Sequence, residues 1–284
     1  MSRRPPWLER KRNKVRRSLF RRIVLPLFNG EMRRQGLVLY RYDECVDRLR
    51  PCSEISWPWI TRRANTETPE DAWYAALGER ALRADVILDV GGGGGAISTW
   101  FSRWAKRVIV FEPSPANREL IRTHHRIRDV RNVEIVACAM GAESGEATLH
   151  LKREPGHNSL GDIGASETVD RVRVPVRTLD EFAAERRFET IGLLKIDVEG
   201  YEPDVIRGAD RLLREQRIEL VLFEFSPAFY RQRGIDPCAP VDALEERGYS
   251  VRHVNGNEIE RASLERGRQT DLIAEPRGSK LDRA

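Results

Sequence analysis

The chain lacks several features that would take it out of the ordinary globular classes. Its four cysteines, Cys45, Cys52, Cys138 and Cys238, are scattered, with no C-x-x-C pair. That argues against a zinc site or disulfide framework and for thiols in a reducing compartment. No run approaches the roughly 20 apolar residues that a spanning helix needs. The opening Met-Ser-Arg-Arg-Pro-Pro has no apolar stretch of the secretory kind, so a cytoplasmic location is expected. Aromatic residues are sparse among the basic ones, which speaks against nucleic acid as a partner. No internal repeat is present.

Basic charge is abundant but unevenly placed. The net charge is +5 over 284 residues. Residues 1–36 hold twelve Arg or Lys against two Glu, a balance of +10, which leaves −5 on the rest. The high isoelectric point therefore belongs to an N-terminal arm. Within it, residues 7–28 read as a basic amphipathic helix, with Val15, Leu19, Ile23 and Leu27 recurring every four residues and Pro26 ending the pattern. Such a segment is able to lie on an anionic membrane, here at its inner face. A helix packed on its own domain with a solvated basic face is the plainer alternative. Residues 37–64, with Trp57 and Trp59, read as a connector or cap. Thr68-Pro69 opens a helix running to about Leu82.

The most informative stretch is 86–97. Val86 to Val90 reads as a buried parallel strand, five glycines follow, and Ala96 to Phe101 reads as a helix. Each glycine loses roughly 0.5–1 kcal/mol more on ordering than alanine would. Such a run is expected where backbone amides must approach a ligand closely. Gly91, Gly93 and Ala96 satisfy a dinucleotide fingerprint. Asp89, Gly91, Gly93 and Gly95 satisfy D-x-G-x-G-x-G as well. A carboxylate at 89 repels a pyrophosphate but suits S-adenosyl-L-methionine, whose amine and sulfonium are cationic.

Further strands are expected at 108–111, 133–136, 147–151, 171–176, 193–196, 218–225, 249–254 and 271–274, with helices between them. Glu112, at the end of the second strand and about twenty residues past the loop, is placed to accept hydrogen bonds from a ribose. Ser114-Pro115 caps a helix to about His125, and His124 and His125 read as solvated residues at its end. Ala139 would pass beside an adenine. The loop 156–161, with His157, either borders the site or is an excursion. The strand 193–196 ends in Asp197, with Glu199 and Glu202 next, and Glu224 lies near the end of another strand. Three carboxylates at such an edge repel one another unless a cation, donor or water lies between them. The spacing requires no metal.

Strands alternating with helices argue for an α/β fold, a doubly wound and mostly parallel sheet with helices on both faces. Residues 86–225 resemble the FkbM-type S-adenosylmethionine-dependent methyltransferases. The resemblance rests on the Asp89–Gly95 loop, Phe111-Glu112-Pro113 with Asn117, Thr178-Leu179-Asp180, the string from Leu194 to Gly200 with Glu202, and Gly208-Ala209. It implies a class I methyltransferase (Rossmann-like) fold, with a seven-stranded sheet whose last strand is antiparallel. It also implies S-adenosyl-L-methionine as cofactor and O-methylation of a sugar, glycan or natural product. The division expected is 1–64 for arm and connector, 65–275 for the methyltransferase domain and 276–284 for a tail. In this reading Asp89, Gly91, Gly93, Gly95, Glu112, Ala139 and Asp197 bind the cofactor, and Asp197, Glu199 and His157 are the catalytic candidates. Two other classes stay open at this point, a nicotinamide-dependent oxidoreductase and a non-catalytic membrane- or complex-binding module.

Overall fold

The computed structural model describes residues 40–43, 46–51, 77, 84–153, 157–164 and 166–278. The chain divides into two compact units, Met1–Glu67 and Thr68–Ala284. In the first, strands β1 (Tyr40–Asp43) and β2 (Val46–Pro51) form an antiparallel hairpin. The basic helix expected at 7–28, Trp57 and Trp59, and most of the helix expected from Thr68 lie outside the described residues. Among the described residues no helix is long and apolar enough to cross a membrane.

The second unit is built on a seven-stranded sheet in the order β11-β12-β10-β9-β3-β4-β5. Its strands are β3 (Val86–Val90), β4 (Arg107–Phe111), β5 (Val133–Val136), β9 (Leu193–Ile196), β10 (Val221–Phe225), β11 (Tyr249–His253) and β12 (Thr270–Pro276). β3, β4, β5, β9 and β10 pair in parallel, while β12 runs antiparallel to both β10 and β11. This is the Rossmann-like class I arrangement. The last strand extends to Pro276, beyond the Asp271–Ala274 expected from its apolar residues.

The two-residue period of a strand sorts the core into two layers. Leu88, Val90, Ile109, Phe111, Leu194, Ile196, Phe223 and Phe225 face one layer. Ile87, Val108, Val110, Leu193 and Leu222 face the other. Helices α1 (Ala96–Phe101) and α2 (Pro115–Ile127) supply Phe101 and Ile121 to the second layer. The first layer is covered by α3 (Leu179–Arg186), α4 (Glu202–Arg207), α5 (Asp210–Arg214), α6 (Pro227–Gln232), α7 (Ala239–Glu246) and α8 (Arg261–Arg266). The sheet is thus buried on both sides, which is why its strands read as continuous apolar runs.

Beside it lies a three-stranded sheet in the order β6-β8-β7, from Ala139–Met140, Thr168–Arg177 and Gly145–Lys152. The strands expected at 147–151 and 171–176 form its long antiparallel pair. The family motifs outside the site prove to be joints of the scaffold. The Asp180 carboxylate accepts from the backbone amides of Arg211 and Leu212 at 2.8 and 3.0 Å, capping α5. A β-carbon on Gly208 would lie 2.0 Å from the Gly141 carbonyl oxygen, so no side chain fits there.

Candidate active site

β3, β4, β9 and β10 are parallel neighbours, so their C-terminal ends open onto one edge of the sheet, where ligands of such folds bind. The loop after β3 is wired to the end of β4. The Phe111 carbonyl accepts from the amides of Gly91 and Gly92 at 3.1 and 3.3 Å, and the Gly95 amide donates to Gly92 at 2.9 Å.

The five glycines do different things. A β-carbon at Gly91 would lie 1.8 Å from the Asp197 carbonyl oxygen, and one at Gly92 would lie 2.3 Å from Val110. Those two are required by packing within the sheet edge. Gly93 and Gly94 face open space, with Gly93 at φ +49°. Close approach to a ligand is therefore an argument for the middle of the run, and internal crowding explains its start.

Glu112 is buried, and its carboxylate holds the loop. One oxygen accepts from the Gly93 amide at 2.9 Å and the other from the Ser114 amide at 2.7 Å. Burial pushes its carboxyl up to about 7, against the pull of those amides and of Asn117. Asp89 is fully buried at the end of β3, and neither oxygen accepts a hydrogen bond among the described residues. Its compensating charge is Lys195, whose ammonium lies 3.2 Å away. Burial raises the Asp89 carboxyl, and Lys195 opposes that rise.

Lys195 was quoted in the sequence only as part of a motif, and it proves to be the hub of the edge. Its side chain crosses from β9 to donate to the Gly91 carbonyl at 2.8 Å and lies 3.4 Å from the Asp197 carboxylate. Burial works against its charge, but Asp197 and Asp89 outweigh burial and keep it protonated. A lysine inside a four-residue strand carries no sequence signal of this role.

The acid turn after β9 differs from expectation in one respect. Glu202 does not join Asp197 and Glu199 at the surface of the site. It is fully buried, and one oxygen accepts from the amides of Val198 and Gly200 at 2.9 and 3.3 Å, folding the turn from within. The third carboxyl group is Glu224 of β10. A carboxyl oxygen from each of Asp197, Glu199 and Glu224 lies within 4.8 Å of the other two. Burial raises the Glu199 carboxyl to about 9, helped by repulsion from Glu224, Asp197 and Glu202. Burial raises Glu224 to about 8, with Asp197 again repelling the charge. Both carboxyl groups are thereby held toward the protonated form. Glu199 also holds a left-handed backbone, φ +54°, which is uncommon for any residue but glycine.

The other sequence candidates are more peripheral. Ala139 is buried in β6, paired to Val176 of β8. His157 is exposed, two residues before Ser159, whose hydroxyl donates to the Glu199 carbonyl at 3.0 Å. The loop thus borders the acid turn. His125 corrects the sequence reading. It is buried rather than solvated, with its Nε2 3.2 Å from the Ser98 hydroxyl, because α2 packs its last turn against α1.

A family model described as the methyltransferase FkbM domain matches residues 89–251. The chain is 28% identical over 144 residues to "Methyltransferase 1" of Beauveria bassiana, covering 44% of this chain and 58% of that protein. It is 26% identical over 148 residues to the "2-O-methyltransferase NoeI" of Sinorhizobium fredii, covering 46% and 60%. These alignments span about 60% of the length of those curated relatives. A crystal structure of methyltransferase FkbM from Methylobacillus flagellatus is matched over 67% of this chain and 44% of that one, at a TM-score of 0.42 and 15% identity.

Proposed function

Because the chain belongs to the FkbM methyltransferase family, we propose that it transfers a methyl group from S-adenosyl-L-methionine to a hydroxyl oxygen of a sugar, glycan or other small-molecule acceptor. One observation carries this reading. An open glycine cradle with a buried carboxyl group and a group of three acids sit on neighbouring strand ends, joined by Lys195.

The residues fit the cofactor. Gly93 and Gly94 leave free the space that a β-carbon would fill. A carboxylate offers about four lone-pair directions, and the Glu112 oxygens use one each on Gly93 and Ser114. Asn117 adds a third hydrogen bond to that carboxylate, which leaves capacity for a ribose hydroxyl. Ala139, on β6, is the adenine-side residue of this reading. Asp89 acts from behind the loop, with Lys195, rather than as an open carboxylate. Bound there, S-adenosylmethionine supplies a methyl group already activated by its sulfonium, so placement is most of the protein's task.

Glu199 and Glu224, whose carboxyl groups are held toward the protonated form, are suited to hold an acceptor oxygen by hydrogen bonds. Asp197 has 37% of its side chain exposed and faces the open side, and it is the group we assign to receive the hydroxyl proton. His157, on the adjoining loop, is the second base candidate. General-base assistance of this kind contributes typically 10²–10⁴-fold. The name of the Sinorhizobium relative, a 2-O-methyltransferase, supports oxygen as the acceptor atom.

Calorimetry with S-adenosylhomocysteine and with NAD tests the cofactor; tight binding of NAD alone would refute the reading. Mass spectrometry of metabolites and glycans with and without the protein should show a gain of one methyl group. Asp197→Asn should lower turnover by about 10²–10⁴-fold while changing S-adenosylhomocysteine affinity by only a few fold. Unchanged turnover would remove Asp197 from the mechanism.

A further inference from the structure

The small sheet reaches the acid turn through the loop between β7 and β8, and the contact falls on Glu199, whose backbone is left-handed. Ser159 is 2% exposed. Its backbone is clamped to His150 by a pair of hydrogen bonds, 2.8 Å from the His150 amide and 3.3 Å from its own. The loop is closed behind it by Lys152, whose buried ammonium donates to Asp162 at 2.7 Å and Thr168 at 2.9 Å. On its far side the Gly164 amide donates to Gln232 of α6 at 2.8 Å. With its backbone fixed, Ser159 can aim its hydroxyl, and it donates to the Glu199 carbonyl at 3.0 Å.

Glu199 needs such a hold. A left-handed conformation is unfavourable for a residue with a β-carbon, and it persists only where the surroundings impose it. Glu202 grips the amides on either side of Glu199, at Val198 and Gly200. Ser159 grips the carbonyl from the opposite side. Phe229 and Ile163 crowd Gly200, where a β-carbon would lie 2.6 and 3.0 Å from them.

We propose that Ser159 is a positioning residue, whose hydroxyl holds Glu199 in the left-handed turn that brings its carboxyl group against Asp197 and Glu224. The insertion outside the seven-stranded sheet thereby sets the acid group. Its role in methyl transfer rests on the proposed function, but the placement itself is measured without activity. The charged and titratable groups facing Glu199 are Asp197 and Glu202 of its own turn, Lys195 of β9 and Glu224 of β10.

The test is a carboxyl-carbon NMR titration of full-length protein labelled at glutamate, with Glu199→Gln identifying the resonance. In the wild type Glu199 should titrate well above an ordinary glutamate. In Ser159→Ala it should fall back by at least one pH unit, as the turn relaxes and the carboxyl group leaves its neighbours. Ser159→Thr, which keeps the hydroxyl, should restore the wild-type midpoint. Equal midpoints in wild type and Ser159→Ala, or a common fall in the Ala and Thr variants, would overturn the proposal. If Ser159→Ala alone unfolds, the double variant with Glu199→Gly decides. Glycine removes the need for the hold, so the double variant should fold again, and a double variant that stays unfolded while Glu199→Gly alone folds would refute the idea. Calorimetry of the wild type with S-adenosylhomocysteine is read separately; its failure would sink the cofactor assignment and leave the Ser159 result standing.

Discussion

The two halves of the sheet edge are built in opposite ways. At the ends of β3 and β4, the loop amides of Gly91, Gly92, Gly93 and Gly95 and both oxygens of Glu112 already have partners within the chain. At the ends of β9 and β10, three carboxyl groups crowd together, and burial with mutual repulsion raises two of them well above the usual carboxylate range. The first half is settled before any ligand arrives. In the second, the charged form of two carboxyl groups is disfavoured, and a bound acceptor can partner them by hydrogen bonds, which is where perturbed groups serve chemistry. The Lys195 side chain joins the two halves, through the Gly91 carbonyl and Asp89 on one side and Asp197 on the other.

Cutting that bridge should give the largest effect. Lys195→Met fills similar space but leaves Asp89 fully buried without its cation. Removing one partner of a buried pair typically destabilises by about 3–5 kcal/mol. Urea denaturation measures it, and a loss below about 1 kcal/mol would show that the halves are joined by packing and not by charge.

Gly91→Ala should come next, because it disturbs both halves at one point. The added β-carbon would displace the Asp197 carbonyl, which lies 1.8 Å from it. The residue would also hold φ +86°. Overpacking of this kind costs about 1–3 kcal/mol, read from the same denaturation curves. A stability equal to the wild type would mean that the two strand ends are not in contact there.

Much of this comparison could be read from the chain, and the parts that could not share a cause. The strands at 86–90, 108–111 and 193–196 were legible because a sheet buried on both faces leaves continuous apolar runs. Glu112 and Asp197 were legible because each follows such a run directly. Glu202 and Glu224 exchanged places, since sequence order cannot tell an acid that turns inward to its own backbone from one that faces its neighbour across the sheet. His125 was misread for the same reason. A residue at a helix end is solvated unless another helix covers it, and Ser98 lies 27 positions earlier. Lys195 and Ser159 act only through tertiary contacts.

A smaller effect should come from pH, and its direction differs between two measurements. Glu112 titrates at about 7 when folded, raised by burial. A raised folded value means that its contribution to stability is full below the unfolded value of about 4.5 and fades as pH rises through about 7. Ligand affinity should move the other way, because ribose hydroxyls donate to the charged form. S-adenosylhomocysteine affinity should rise roughly tenfold between pH 6 and pH 8, and Glu112→Gln should flatten that rise. Stability and affinity changing in the same direction over this range would assign the titration to another group.

Gly94→Ala should have the smallest effect on the fold and is the sharpest test of how the glycine run is divided. No atom lies within 4 Å of the added β-carbon, and the backbone there is outside the left-handed region. Where the native conformation tolerates it, Gly→Ala stabilises by about 0.4–1 kcal/mol, mainly by restricting the unfolded chain. Stability should therefore hold or rise slightly, in contrast to Gly91→Ala three positions earlier. Affinity for S-adenosylhomocysteine should fall nonetheless, because the methyl group would occupy the space left open for the ligand. A variant that loses stability would show that the middle of the run is packed like its start. A variant that keeps both stability and affinity would show that the ligand does not approach the loop at Gly94, and would move the cradle to Gly93 and Glu112 alone.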